Sequence, residues 1–99
     1  MIAPATTRLD EATIAGELAR LDGWLRTADT IHKTYHFANY YETMAFVNAT
    51  AWISHREDHH PDITLGYRQC TLSYSTHSVS GLSINDFVCA AKIDALFVL

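Results

Sequence analysis

Pro61 constrains this chain more than any other residue. It follows the pair His59-His60, cannot sit inside a helix, and pushes the residue before it out of helical geometry. The chain therefore changes character there. Upstream, Asn39 to about His59 reads as one long helix. Asn39 and Glu42 form a capping pair at its start, and Tyr40, Met44, Phe46, Val47, Ala51, Trp52 and Ile53 run along it. These apolar residues cover more than one stripe, which predicts burial on two sides. In so small a domain the second side is expected to be another subunit. Downstream, Asp62 to Tyr67 and Cys70 to Thr76 read as two antiparallel strands.

The remaining elements flank these. Thr7 with Asp10 resembles a capping box, and Ile14, Leu18 and Leu21 recur at helical spacing before Gly23. Trp24 to Thr27, a turn at Ala28-Asp29, and Thr30 to Phe37 predict a hairpin. In its second strand Ile31, Tyr35 and Phe37 share one face, with Lys33 as the exception. Ser78 to Gly81 is a loop. Ser83 with Asp86 caps a last helix whose apolar residues Ile84, Phe87, Val88, Ala91, Ala95 and Val98 are expected to be buried. The order α-β-β-α-β-β-α predicts an α+β two-layer sandwich, a four-stranded antiparallel sheet with three helices on one face.

With 99 residues the chain suffices for one domain, 1–99, and gains from oligomerisation. Eleven acids against seven bases, without a basic cluster, argue against a nucleic-acid surface. No apolar run approaches the ~20 residues of a membrane span. The start, Met1 to Thr7, lacks the basic and apolar regions of an export signal, so a cytoplasmic protein is expected. Cys70 and Cys89 then read as two buried free thiols.

Six histidines are many for this length. His59 and His60 close the long helix and His77 closes the last strand. A two-residue turn at Arg68-Gln69 would set His60 opposite His77. A turn at Gly66-Tyr67, which glycine chemistry favours, would shift that register by four. Histidines gathered at one edge suit proton transfer, since one imidazole can donate while its neighbour accepts. Elimination of water needs such a pair. Two competing readings are ordinary surface histidines and a metal site. His55 and His59 lie four apart on a helix, but Arg56 stands where a zinc-protease pattern needs glutamate. His32 and His36 share a strand face and are expected to be exposed.

Several motifs together resemble the pterin-4a-carbinolamine dehydratase family. They are Asp58-His59-His60-Pro61-Asp62, Ser75-Thr76-His77, Gly81-Leu82-Ser83, Asn85-Asp86-Phe87 and Ala90-Ala91-Lys92-Ile93-Asp94, with Phe46-Val47-Asn48 and Gly23-Trp24 upstream. The resemblance covers nearly the whole chain and looks closer to bacterial members. It implies a hydro-lyase that converts 4a-hydroxytetrahydrobiopterin to quinonoid dihydropterin and water, recycling the pterin of aromatic amino-acid hydroxylases. A bacterial phenylalanine hydroxylase is then an expected functional partner. The resemblance implies His59, His60 and His77 as catalytic or orienting residues, with His60 and His77 nearest the 4a-hydroxyl and N5 and His59 orienting the ring. It implies Asp58, Ser75, Thr76 and Ser78 as further pterin contacts, and no metal or organic cofactor. Relatives tend to carry Asn or Gly at the position of Arg68, which moves the expected turn to Arg68-Gln69. Dimers or tetramers are implied, built through the sheet edge and the helix 39–59. His55 and Ile63 depart from the pattern, where animal members often have glutamate and many members an aromatic. Asp86 fits the pattern, but its capping role explains it without catalysis. Members of this fold also serve as non-catalytic binding or assembly modules, which is the alternative function.

Overall fold

A computed structural model describes residues 6–97. The elements run α1 (Glu11–Ala19), β1 (Leu25–Thr27), β2 (Thr30–His36), α2 (Tyr40–Glu57), β3 (Asp62–Leu65), β4 (Gln69–Tyr74) and α3 (Ile84–Asp94). Short 3-10 turns follow β4 (His77–Val79) and α3 (Ala95–Phe97). The sheet is antiparallel in the order β1-β2-β4-β3. One core joins Ile14 of α1, Phe46 of α2 and Phe87, Ala90 and Ile93 of α3 to Ile31 and Tyr35 of β2 and Cys70, Leu72 and Tyr74 of β4. The three helices thus cover the same sheet face, as the α+β reading expects. On the opposite face, Thr34 and Thr71 pair hydroxyl to hydroxyl at 2.7 Å in solvent.

Several local signals act as read. Asn39 Oδ1 accepts the Glu42 amide at 2.8 Å, and Ser83 with Asp86 forms a full capping box. Ala28-Asp29 turns the first hairpin, with Thr27 opposite Thr30 and Ala28 at φ 52°. Lys33 breaks the β2 alternation because its ammonium is tied down: Nζ donates to Asp94 Oδ1 at 3.0 Å and to the Asp22 carbonyl at 2.7 Å. Both cysteines are free and buried.

Other expectations are corrected. α1 starts at an Asp10 cap, not at Thr7, because the Leu9 amide is already used by the Leu82 carbonyl (2.9 Å) and Asp10 accepts from Thr13 (2.8 Å). α2 ends at Glu57, short of His59. It is stopped not by Pro61 but by Asp58, whose left-handed backbone (φ 51°) closes the helix. Neither expected β3–β4 turn forms. Tyr67-Arg68 is the turn, closed by the Gly66 amide on the Gln69 carbonyl at 2.8 Å. Packing rather than glycine chemistry chooses this apex. The Tyr67 carbonyl accepts from Thr43 of α2 (3.1 Å), the Tyr67 ring stacks on Tyr40, and the Arg68 carbonyl accepts the Phe37 amide (2.8 Å). Asp62 pairs with Ser73, so the ladder continued two steps back would set His60 opposite Ser75, not His77. In α3 the buried face is Asp86, Phe87, Cys89, Ala90 and Ile93. Ile84, Ala91 and Ala95 are exposed, and Val98 lies outside the described residues. The face shifts because the capping box turns Asp86 inward.

The buried stripe of α2 is unusual in composition. Thr43, Phe46, Thr50, Ser54 and Glu57 recur every three or four residues, and four of the five are polar. The hydroxyls cost little because each donates to a carbonyl of its own helix: Thr43 to Asn39, Thr50 to Val47 and Ser54 to Thr50. Of the residues expected to bury a second side, Tyr40 and Trp52 are 47% and 62% exposed, and Tyr41 beside them is 83% exposed.

Candidate active site

The left-handed turn at Asp58 determines where His59 goes. Its amide still reaches back to the Ser54 carbonyl at 3.1 Å, and its side chain leaves the axis of α2 toward the start of α3. There the fully buried Asp86 meets it, with Oδ1 2.6 Å from His59 Nε2. The other oxygen, Oδ2, accepts the Ser83 amide (3.0 Å) and the Thr76 hydroxyl (2.8 Å). Donor directions follow from this. Thr76 spends its proton on Asp86, so Ser83 Oγ donates to Thr76 (2.7 Å) and in turn accepts the Asn85 amide. A carboxylate only accepts, so Nε2 carries the proton facing it. Nδ1 is left as the ring nitrogen free to exchange a proton with a ligand. The buried Tyr74 ring lies parallel to the imidazole, at a centroid distance of 5.7 Å and an interplanar angle of 10°.

The other expected residues are distributed around this centre. His60 and His77 are exposed, and neither imidazole has a hydrogen-bond or ionic partner among the described residues. His77, Ser75 and Thr76 line an open cavity of ≈230 Å³ together with Asp29, Thr30, Ser80 and Gly81. Thr76 is therefore the link, with one side in the cavity and its hydroxyl on Asp86. Asp58, His59, His60 and Ser78 are not part of that lining, and Asp58 and Ser78 are exposed. His55 is exposed beside Trp52, and His32 is bound to Thr27 at 3.0 Å. Among the described residues no three His, Cys, Asp or Glu side chains are grouped to hold a metal ion.

Sequence reasoning missed the Asp86 contact to His59 and the Asp29-Thr30 wall of the cavity. Asp86 was recognisable as a cap, but a capping box uses only one carboxylate oxygen, and the second was free for another task. Both buried thiols are held in their protonated form. Burial first, then the Glu57 and Asp86 carboxylates, push the Cys89 thiol up to about 12, and burial also raises Cys70. Neither is a thiolate near neutral pH, so neither is a nucleophile.

Comparisons with known proteins agree with this architecture. Residues 7–96 match the family described as pterin 4 alpha carbinolamine dehydratase. A relative from Nitrosospira multiformis, provisionally named pterin-4-alpha-carbinolamine dehydratase, is 61% identical over 90% of this chain and 79% of its own. One from Chromobacterium violaceum with the same provisional name is 51% identical over 90% of this chain and 82% of its own. A crystal structure from Brucella melitensis, described as a transcriptional coactivator/pterin dehydratase, superposes with a TM-score of 0.87. It is 27% identical and covers 91% of this chain and 98% of that one. A pterin dehydratase-like protein identified as a RuBisCO assembly factor shares the fold (TM-score 0.61, 24% identity, 74% of this chain and 84% of that one). An α+β fold with an antiparallel four-stranded sheet, a histidine held on a buried capping aspartate, and a family match over residues 7–96 place this chain in the pterin 4 alpha carbinolamine dehydratase family.

Proposed function

We propose that this protein dehydrates pterin-4a-carbinolamine to quinonoid dihydropterin and water, with His59, His60 and His77 as its catalytic and substrate-orienting histidines. The observation that carries this reading is the Asp86–His59 pair, joined through Thr76 to the cavity that His77 lines. The reaction is an elimination. One group protonates the 4a-hydroxyl as the C–O bond breaks, and another takes the proton from N5 as the C=N bond forms. No electron leaves the substrate, so an acid and a base suffice. His60 and His77 act at the hydroxyl and N5, and His59, anchored by Asp86, orients the ring. Asp58, Ser75, Thr76 and Ser78 contact the pterin.

The test is the rate of dehydration of freshly generated 4a-hydroxytetrahydropterin, followed by ultraviolet absorbance. Wild type is expected to accelerate it regardless of chelator, and His60→Ala and His77→Ala each to lose roughly 10²–10⁴-fold, the usual yield of general acid–base catalysis. No acceleration by folded wild type refutes the proposal and leaves the non-catalytic binding or assembly role. The same reading places the protein in the cytoplasm beside a phenylalanine hydroxylase. A host genome without any pterin-dependent hydroxylase would count against that coupling. It also makes the protein a homodimer or homotetramer through the sheet edge and α2. Ile63 and Leu65 on the edge strand β3 are each 43% exposed, and Tyr41 and Trp52 stand out from α2. Sedimentation equilibrium decides between monomer and oligomer.

A further inference from the structure

We infer that Tyr74 is a positioning residue for His59, a flat wall that holds the imidazole in the plane where Nε2 meets Asp86 and Nδ1 faces the ligand. The inference rests on the reading of His59 as part of the active site. Two contacts define a ring's orientation: one along an edge, which sets its rotation, and one on a face, which sets its tilt. Asp86 supplies the first at 2.6 Å, and the parallel Tyr74 ring supplies the second at 5.7 Å. The face contact is needed because of what lies upstream. His59 follows a left-handed residue outside α2, so no helical neighbour restricts its side chain, and its own backbone bond to Ser54 fixes only the chain.

Tyr74 is suited to this task because its ring is packed on every side. It is fully buried, the last residue of β4, paired with Ile31 across the ladder, and tilted against Trp24 at 6.2 Å. Its hydroxyl points away from His59 to Ser54 and Cys89 and makes no well-formed hydrogen bond among the described residues. The ring and not the phenolic oxygen is therefore the active part, which separates Tyr74 from a proton donor and makes phenylalanine its conservative replacement. A branched aliphatic side chain would fill much of the space but present no plane, and the imidazole could then tilt off Asp86.

The experiment combines rates with nitrogen-15 NMR of the His59 ring in wild type, Tyr74→Phe, Tyr74→Leu and Tyr74→Met. In wild type and Tyr74→Phe the Nε2 proton, held on a buried carboxylate, is expected as a downfield, slowly exchanging resonance. In Tyr74→Leu that resonance is expected to broaden into solvent exchange. The kcat of Tyr74→Leu is expected to fall roughly 10–100-fold while KM changes less than about threefold, the pattern of a misplaced group rather than a lost contact. Tyr74→Phe is expected to return kcat to within about threefold of wild type. A folded Tyr74→Leu that keeps both the sharp resonance and its kcat overturns the inference. Should the leucine variant not fold, Tyr74→Met applies the same criterion with a more adaptable side chain. Should wild type prove inactive, the proposed function fails, but the NMR comparison still decides whether Tyr74 holds the ring.

Discussion

Replacing Asp86 with asparagine changes one atom and is expected to reverse the proton on His59. Asparagine offers one acceptor and one donor where aspartate offers two acceptors. Two donors, the Ser83 amide and the Thr76 hydroxyl, converge on the Oδ2 side, so the amide oxygen must stay there. The amide nitrogen then faces His59 Nε2 and donates to it, which moves the ring proton to Nδ1. The capping box survives, so the stability cost is expected to be only about 1 kcal/mol, the value of one exchanged hydrogen bond. Asp86→Ala is the contrasting case. It strands the buried Ser83 amide and removes the Asp86 half of the capping box, while Ser83 Oγ still caps Asn85 and Thr76 can turn to Ser83 Oγ, 2.7 Å away. That sums to roughly 2–4 kcal/mol. At about 4–8 °C per kcal/mol for a domain this size, Tm should fall by roughly 8–30 °C. Activity should respond in the opposite order of subtlety. Asp86→Asn is expected to lose at least ~10²-fold in kcat despite its near-native melting curve, because the nitrogen offered to the ligand is in the wrong protonation form. Urea unfolding, nitrogen-15 shifts of His59 and dehydration rates measure the three quantities. A stable Asp86→Asn protein with unchanged ring shifts and unchanged rate would refute the reasoning.

Three further expectations follow from the same geometry. Tyr74→Phe removes a buried hydroxyl that lies by Ser54 and Cys89 without a well-formed hydrogen bond to either, so it should leave stability in urea unfolding unchanged or raised by up to about 1 kcal/mol, and a loss above about 1 kcal/mol would show that these two groups do bind it. Asp94 accepts from Trp24 Nε1 (3.0 Å), Lys33 Nζ (3.0 Å) and the Tyr35 hydroxyl (2.5 Å), so Asp94→Ala should cost roughly 2–4 kcal/mol, with little salt dependence if the hydrogen bonds rather than the ion pair dominate. Stability should also fall in alkali. The Cys89 thiol ionises near 9.0 when free and about 12 when folded, so its contribution is whole below pH 9 and disappears as pH rises toward 12. Tyr35 and Tyr74, both raised from 10.0 by burial first, add to the loss above pH 10. Melting curves of Cys89→Ala should therefore fall less steeply above pH 9 than those of wild type, with the remaining slope there coming from the buried Cys70 thiol.

What the sequence made legible was local. The caps at Asn39 and Ser83 and the turn at Ala28-Asp29 are decided by residues within three or four positions, and each forms as read. What it hid was decided at a distance. Turn preference points to Gly66-Tyr67 and the family resemblance to Arg68-Gln69, but Thr43 of α2 and Phe37 just after β2 hold the β3–β4 apex at Tyr67-Arg68. The buried stripe of α2 was sought among apolar letters, whereas Thr43, Thr50 and Ser54 bury hydroxyls that their own helix satisfies. Thr7 resembles a cap because nothing within the segment shows that the Leu9 amide is used by Leu82. At the site, the histidines and Thr76 were marked by type and spacing, but their division was not. One histidine is anchored and two are exposed because Asp86 has a second oxygen, a fact of three-dimensional approach.

The two polar networks differ in how far apart their members lie along the chain, and this bears on the order in which they assemble. His59 and Asp86 are 27 residues apart, and Thr76 and Asp86 ten. Asp94 reaches Trp24, Lys33 and Tyr35 across 70, 61 and 59 residues. Short loops close with less entropy lost than long ones, so the second half of the chain can organise its histidine anchor before the first hairpin arrives. Docking of β2 on β4, with Ile31 meeting Tyr74, is then expected as the late event, which a phase in hydrogen-exchange-pulsed refolding confined to β1 and β2 amides would register. Once formed, it can open separately. Amides of β1 and β2 should exchange with solvent through a partial opening that leaves those around Thr76, Ser83 and Asp86 protected. The Asp86 anchor of His59 would thus outlast fluctuations that open the Asp29-Thr30 wall of the cavity and strip Ile31 from Tyr74.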